Sequence, residues 1–184
     1  VRIIAGRFRG RALTPLGKGD AGAHLRPTSD RVRESLFSIL EHRGVIEGAR
    51  VLDLFAGTGA LGLEALSRGA EEVCFVENGR VGGRLLARNI ALLDAGGETR
   101  IVRRDATRPG PCETAPFDLV FLDPPYGQGL GDKALLAADS GGWIAPGACI
   151  VWEENAPQAA PPGFAMVETR RFGDTHVTLL RRDG

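Results

Sequence analysis

Asp123-Pro124-Pro125-Tyr126 places an acid, two ring-locked residues and an aromatic in four consecutive positions. Proline fixes φ and has no N–H, so the Asp123 carboxylate and the Pro124 carbonyl are fixed acceptors on a stiff backbone. Both can accept from one NH2 group, and the Tyr126 ring offers a flat face to a planar base. An exocyclic amine or an amide nitrogen is a poor nucleophile, because its lone pair is delocalised. Two acceptors that draw its hydrogens to one side turn the lone pair toward a methyl donor, so alignment supplies much of the catalysis. The alternative reading of these four residues is a rigid strand-to-loop turn with a buried aromatic.

A second cluster lies in Asp53-Leu54-Phe55-Ala56-Gly57-Thr58-Gly59-Ala60-Leu61-Gly62. Gly57 and Gly59 allow a sharp turn with close approach to a ligand, and Gly62 allows close helix packing. Free N–H groups at the helix start favour a negative group. Glu77 lies 20 positions beyond Gly57, the offset of a ribose-binding carboxylate in a dinucleotide-type fold. Asp53 decides between ligands, because a carboxylate repels a pyrophosphate and welcomes a cationic amino acid. The pattern therefore favours S-adenosylmethionine, which carries an ammonium, a sulfonium and no phosphate, over a nicotinamide dinucleotide. Asp105, in Arg103-Arg104-Asp105-Ala106, is placed to accept from an adenine amino group. A purely structural turn with an exposed acid at Glu77 is the competing interpretation.

These residues need strands and helices to bring them together. Val51 to Phe55, Val73 to Glu77, Ile101-Val102, Leu119 to Leu122 and Ala148 to Trp152 read as strands apolar on both faces, the mark of a covered parallel sheet. Helices are expected over Ala60 to Arg68 and Arg80 to Leu93, the second weakened by Gly82 and Gly83. Phe164 to Val167 and His176 to Leu180 read as two more strands with Gly173-Asp174 turning between them. Upstream, Arg2 to Ala5 and Arg11 to Leu13 suggest a hairpin, Leu16 to Leu25 a glycine-rich loop, and Val32 to Leu40 a helix ended by Gly44. Thr28, Ser29 and Asp30 are its candidate caps. The result is an α/β, doubly wound sheet in residues 48–184, preceded by a basic hairpin, loop and helix in residues 1–47.

The chain has 184 residues and 43% hydrophobic content, enough for one well-formed core and too much for a disordered chain. No apolar run is long enough for a membrane span, and the basic start lacks the apolar stretch of a secretory signal. Cys74, Cys112 and Cys149 have neither metal-ligand nor redox spacing, and His24, His42 and His176 are isolated, so a reducing, cytoplasmic setting without a metal site is expected. Trp143 and Trp152 read as core or pocket wall. The net charge of zero hides an asymmetry: residues 1–33 hold eight Arg or Lys against two Asp, a net +6 that the remainder balances. A basic arm on an acidic body suggests a polyanionic partner.

The glycine turn together with Asp123-Pro124-Pro125-Tyr126 resembles the class I, Rossmann-like N-methyltransferases. Arg26-Pro27-Thr28-Ser29-Asp30-Arg31-Val32-Arg33-Glu34-Ser35-Leu36-Phe37, with Ile3-Ile4-Ala5-Gly6 upstream, narrows the likeness to the RsmD-type family of bacterial 16S rRNA guanine-N2 methyltransferases. The resemblance extends through Gly173-Asp174-Thr175, so it covers nearly the whole chain. It implies a monomer with a seven-stranded sheet whose last strand is antiparallel. It also implies methyl transfer from S-adenosylmethionine to the N2 amine of a guanine in 16S rRNA, within the small ribosomal subunit or an assembly intermediate. By position, Asp53, Phe55, Ala56, Gly57, Thr58 and Gly59 should line the methionine half of the cofactor, Glu77 and Asn78 the ribose, and Asp105 and Ala106 the adenine. Asp123, Pro124, Pro125 and Tyr126 should form the catalytic loop. Arg7, Arg9, Arg11, Arg26, Arg31 and Arg33 are the expected phosphate contacts. Gly82 and Gly83 depart from the better helix formers usual in the family. Rival readings are an N-methyltransferase for another nucleic acid or a protein amide, a nonenzymatic rRNA-binding assembly factor, and a nicotinamide dehydrogenase. Asp53 counts against the last.

Overall fold

The apolar runs of the sequence are strands of one sheet. In a computed structural model, which describes residues 1–15 and 28–184, they are β1 (Arg50–Leu54), β2 (Glu72–Val76), β3 (Thr99–Val102), β4 (Phe117–Leu122), β5 (Ile144–Glu154), β6 (Phe164–Phe172) and β7 (Thr175–Arg182). Their order is β3-β2-β1-β4-β5-β7-β6. The pairs among the first five are parallel, and β7 runs antiparallel to both neighbours. This is the expected doubly wound, seven-stranded sheet with an antiparallel last strand. The loop expected over Leu16 to Leu25, His24, and the residues Arg26 and Pro27 lie outside the described residues.

Alternate side chains of each central strand enter different layers. On one face Val51, Phe75, Leu119 and Phe121 meet α1 (Asp30–His42), α2 (Ala60–Ser67) and α3 (Arg80–Leu92); on the other Leu52, Leu54, Val76 and Val120 meet α4 (Leu130–Ser140). Ser29 starts α1 by accepting the Val32 N–H at 3.2 Å, as an N-cap serine should. α4 escaped the sequence reading because three of its four buried positions, Gly131, Ala134 and Ala138, are small residues that carry little hydrophobic signal. Gly131 is small for a reason: a Cβ there would stand 2.5 Å from Trp152 Nε1. The fifth strand and the final hairpin are also longer than expected, whereas the turn at Gly173 is where the sequence puts it, with φ +62°.

The N-terminal hairpin is a single Arg2–Ala12 bridge rather than two full strands. It is held by Glu64, which has no solvent exposure and accepts the N–H groups of Ile4 (2.9 Å) and Ala5 (3.2 Å). Ser67 adds a second latch, accepting from Phe8 N–H and donating to the Ala5 carbonyl. Ile3 and Leu13 are buried in the same core as α1 and α2, so the basic arm is packed against the sheet domain.

Candidate functional site

Sheet register assembles the site. Val102, Val76, Leu54, Leu122 and Trp152 stand in one row across five parallel strands. One residue further along each chain come Arg103, Glu77, Phe55, Asp123 and Glu153. The glycine turn, the acid after β2 and the proline loop thus emerge side by side at the carboxyl ends of the strands, where open α/β sheets form their ligand crevice. A cleft of about 610 Å³ opens there.

Phe55 leaves β1 at φ +58°, a conformation uncommon for a non-glycine residue, and Gly57 and Gly59 follow at φ +56° and +84°. Only a chain turning this tightly can start α2 directly beneath the cleft. Gly59 itself does not line the cleft: a Cβ on it would lie 2.5 Å from Leu86 Cδ1, so its role is to let the turn pack on α3. Gly62 has a similar one, since its Cβ would lie 2.5 Å from the Phe75 ring. The N-cap residue of α2, Gly59, has no side chain to cap it, and Ala60 and Leu61 of its first turn form part of the cleft wall.

Asp53 lies at the cleft floor, 1% exposed, with Oδ2 accepting the Gly62 N–H at 3.0 Å. Burial pushes its pKa well above the usual carboxylate value, the Gly62 N–H opposes this, and the negative charges of Glu77 and Glu153 add to it. A cationic ligand group would relieve that field. Glu77 accepts two backbone N–H groups, Gly57 on Oε1 at 2.7 Å and Gly79 on Oε2 at 2.8 Å. A carboxylate has about four lone-pair directions, so each oxygen keeps acceptor capacity toward the cleft. Asn78, Ala56 and Thr58 line the same wall.

Asp105 also lines the cleft; Oδ1 takes the N–H (2.9 Å) and the hydroxyl (2.8 Å) of Thr107, and these bonds hold its pKa below the ordinary value. Ala106 is not on the wall. Its side chain is buried in the α4-side core, and Thr107 takes the place at the cleft.

Across the cleft, Asp123, Pro124, Pro125 and Tyr126 all line it. Glu154 fixes the loop behind them by accepting the N–H groups of Gly127 (3.0 Å) and Asn155 (3.3 Å). Sequence reasoning missed Glu153. It is buried on β5 beside Asp123, to which its carboxyl is hydrogen-bonded, and its Oε2 accepts the Thr28 hydroxyl at 2.9 Å. Burial raises its pKa, and the Thr28 hydroxyl, Asp123 and Arg33 act against that rise. No local pattern marks Glu153; only the register of β5 on β4 could have found it.

The expected phosphate contacts fare unevenly. Arg33 is corrected: it is fully buried, paired with Asp30 and with Glu64 (3.2 Å), and no phosphate reaches it. Arg7 is exposed but paired with Glu98, and Arg11 is exposed but donates to the Leu92 carbonyl. Arg9 and Arg31 are exposed with no ion pair among the described residues, and Arg26 lies outside them. Burial also pushes the Cys74 and Cys149 thiols up to about 11, which removes them as thiolate nucleophiles at neutral pH.

Over residues 1–181 the sequence matches the family described as Conserved hypothetical protein 95. The chain belongs to that family. It is 38% identical to Ribosomal RNA small subunit methyltransferase D of Escherichia coli (strain K12) over 187 residues, covering 100% of this chain and 90% of that protein. The protein of the same name in Haemophilus influenzae is 36% identical over 186 residues, 98% of this chain and 93% of the relative. Among solved structures, yhhF from Escherichia coli superposes with a TM-score of 0.83 at 37% identity, covering 100% of this chain and 98% of that one. Sheet order and these likenesses make the fold the Rossmann-like one of class I methyltransferases.

Proposed function

We propose that this chain is an S-adenosylmethionine-dependent methyltransferase that modifies the exocyclic N2 amine of a guanine in small-subunit ribosomal RNA. One observation carries the reading: the glycine turn with Glu77 and the Asp123-Pro124-Pro125-Tyr126 loop face each other across a single cleft. The names of the full-length relatives supply the substrate class.

The cleft residues fit the cofactor. Its floor offers a buried carboxylate, Asp53, for a cationic amino-acid end, and its β2 side offers the Glu77 carboxylate for ribose hydroxyls. The Oδ2 of Asp105 is free of the Thr107 contacts; the exposed Arg108 stands 3.7 Å from it, and its remaining lone pair is the one an adenine amine would use. When bound, S-adenosylmethionine supplies an electrophilic methyl group on a sulfonium.

The chain's own residues then have the following roles. Asp123 and the Pro124 carbonyl accept the two hydrogens of the target amine and hold its lone pair toward the cleft interior. Tyr126 supplies the stacking face. The amine must shed a proton after it is alkylated, and the Asp123 carboxylate that orients the amine is the acceptor assigned to that proton. Guanine N2 lies in the minor groove of a helix, so the target is read best as an unpaired or extruded base.

The test is methyl transfer to small-subunit particles, naked small-subunit rRNA, duplex DNA and protein, with the wild type and Asp123→Ala. The reading expects product only on small-subunit rRNA, at N2 of guanine. Asp123→Ala should lose about 100-fold or more in turnover, the usual cost of a misplaced reactant, while calorimetric binding of S-adenosylmethionine persists. Full activity in that variant would refute the amine-orienting role. Absence of cofactor binding by the wild type would favour a nonenzymatic assembly factor.

A further inference from the structure

The arm holds the densest run of basic charge in the sequence, but much of it is occupied in holding the arm down. Arg7 pairs with Glu98, Arg11 donates to the Leu92 carbonyl, Arg2 donates to the Gly10 carbonyl and Arg33 is buried. Within the arm only Arg9 and Arg31 are exposed with neither an ion pair nor a side-chain hydrogen bond among the described residues, and a more regular set of such cations stands outside it. On α3, Arg80, Arg84 and Arg88 recur every fourth residue and all three are exposed. None makes an ion pair among the described residues. A four-residue step rises about 6 Å, so the three guanidinium stems form one ridge spanning about 12 Å.

The ridge does nothing for the helix. Like charges at i,i+4 destabilise it, and a cation in the first turn opposes the macrodipole. No acid in that first turn offsets Arg80. A fourth cation joins them: Arg103 lies across α3 at Gly83, where a Cβ would stand 2.7 Å from Arg103 Nη1. This explains the glycine that looked out of place in the helix: it is the seat of an exposed arginine. The ridge is also well positioned. Arg80 lines the cleft, and at the far end Asn89 binds the Thr14 backbone in both directions (2.7 and 3.2 Å), joining the arm to α3.

We propose that the α3 ridge, Arg84 and Arg88 with Arg103 beside them, is a docking surface for the phosphate backbone of the RNA flanking the target nucleotide. The proposal rests on the rRNA-methyltransferase reading. The occupant is argued from charge: a regular row of guanidinium groups without acids matches a phosphate chain, whose contacts give affinity and register without reading sequence.

The experiment compares the wild type, Arg84→Gln/Arg88→Gln and Arg84→Lys/Arg88→Lys. Both probes are used, naked small-subunit rRNA and small-subunit particles lacking the methyl group, across a salt series. Each phosphate contact contributes about 0.7–0.9 to the slope of log K against log salt. The Gln pair should therefore flatten that slope by about 1.4–1.8 and weaken RNA binding by roughly 25- to 60-fold at about 0.1 M salt. The Lys pair should retain most of the slope. S-adenosylmethionine affinity and turnover at saturating RNA should be unchanged in both. The Gln pair should melt no lower than the wild type, because glutamine is a good helix former and the repulsion is gone.

An unchanged slope and KM in the Gln pair, with an active wild type, would overturn the ridge. A loss on particles but not on naked rRNA would also overturn it, and would assign the surface to a protein partner instead. A wild type inactive on both probes would refute the function itself, and would do so without any variant.

Discussion

Glu77 is the residue whose replacement tests the cofactor site most directly. Its two oxygens accept the Gly57 and Gly79 N–H groups at 2.7 and 2.8 Å, and Glu77 is only 9% exposed. Glutamine has nearly the same shape but one acceptor oxygen. Its NH2 would face one of those N–H groups donor to donor. The free protein loses one charge-assisted hydrogen bond, about 1.5–3 kcal/mol. At 2–4 °C per kcal/mol for a chain of this size, the melting temperature should fall by roughly 3–12 °C. One effect works the other way, because removing the Glu77 charge lowers the field that raises the Asp53 pKa, so the stability loss should sit toward the small end. The bound state loses a further charge-assisted bond to the ribose, which corresponds to about 10- to 150-fold in Kd. Calorimetric titration of Glu77→Gln with S-adenosylhomocysteine and with an analogue lacking both ribose hydroxyls separates the two losses. The variant should be weakened toward the first ligand and little changed toward the second. Equal weakening toward both would mean that Glu77 only shapes the turn, and retention of wild-type affinity for S-adenosylhomocysteine would refute the ribose assignment altogether.

Asp53 should make both stability and ligand binding depend on pH. Its folded pKa is raised, so its favourable contribution is complete below the unfolded value of 3.8 and is lost as pH rises through the folded pKa. Asp53→Asn should therefore gain stability relative to the wild type as pH climbs, while losing the pH-dependent strengthening of S-adenosylmethionine binding that an ionising carboxylate gives; a stability difference constant from about pH 4 to 8 in thermal unfolding would contradict this. Glu64→Ala should leave the buried Arg33 without its buried partner and orphan two arm N–H groups. The expected cost is about 3–5 kcal/mol, or roughly 6–20 °C in melting temperature, with faster proteolysis of the arm; a loss under about 1 kcal/mol would show that Glu64 is not what holds the arm.

Residues legible in the sequence were those whose meaning is local. Gly57, Gly59 and Glu77 fit a strand, turn, helix and strand in succession, and Asp123 to Tyr126 are contiguous. The misread residues depend on contacts across the fold. Arg33 is one of two arginines at the start of α1, and nothing nearby says that it faces a carboxylate 31 positions later. Gly83 reads as a defect until Arg103, from another strand end, is seen to cover it. Glu153 sits in an apolar run whose last residues read as a strand end, and gains its importance only by lying next to Asp123.

The same distinction reshapes the charge argument. Net +6 in residues 1–33 points toward a polyanionic partner, but the sum does not say which charges are free. Packing assigns Arg33 to Glu64 and Arg7 to Glu98, so these charges help to bind the arm to the body. That attachment has a catalytic consequence. The Ser29 cap sets the start of α1, Thr28 precedes it, and the Thr28 hydroxyl reaches Glu153, which in turn holds Asp123. The start of α1 is therefore tied to the acceptor loop through the Thr28 and Glu153 hydrogen bonds. Among the cations left for a phosphate backbone are Arg9 and Arg31 in the arm and the row on α3, which no acid among the described residues engages. A charge count locates neither group, because the two differ only in whether an acid folds back onto them.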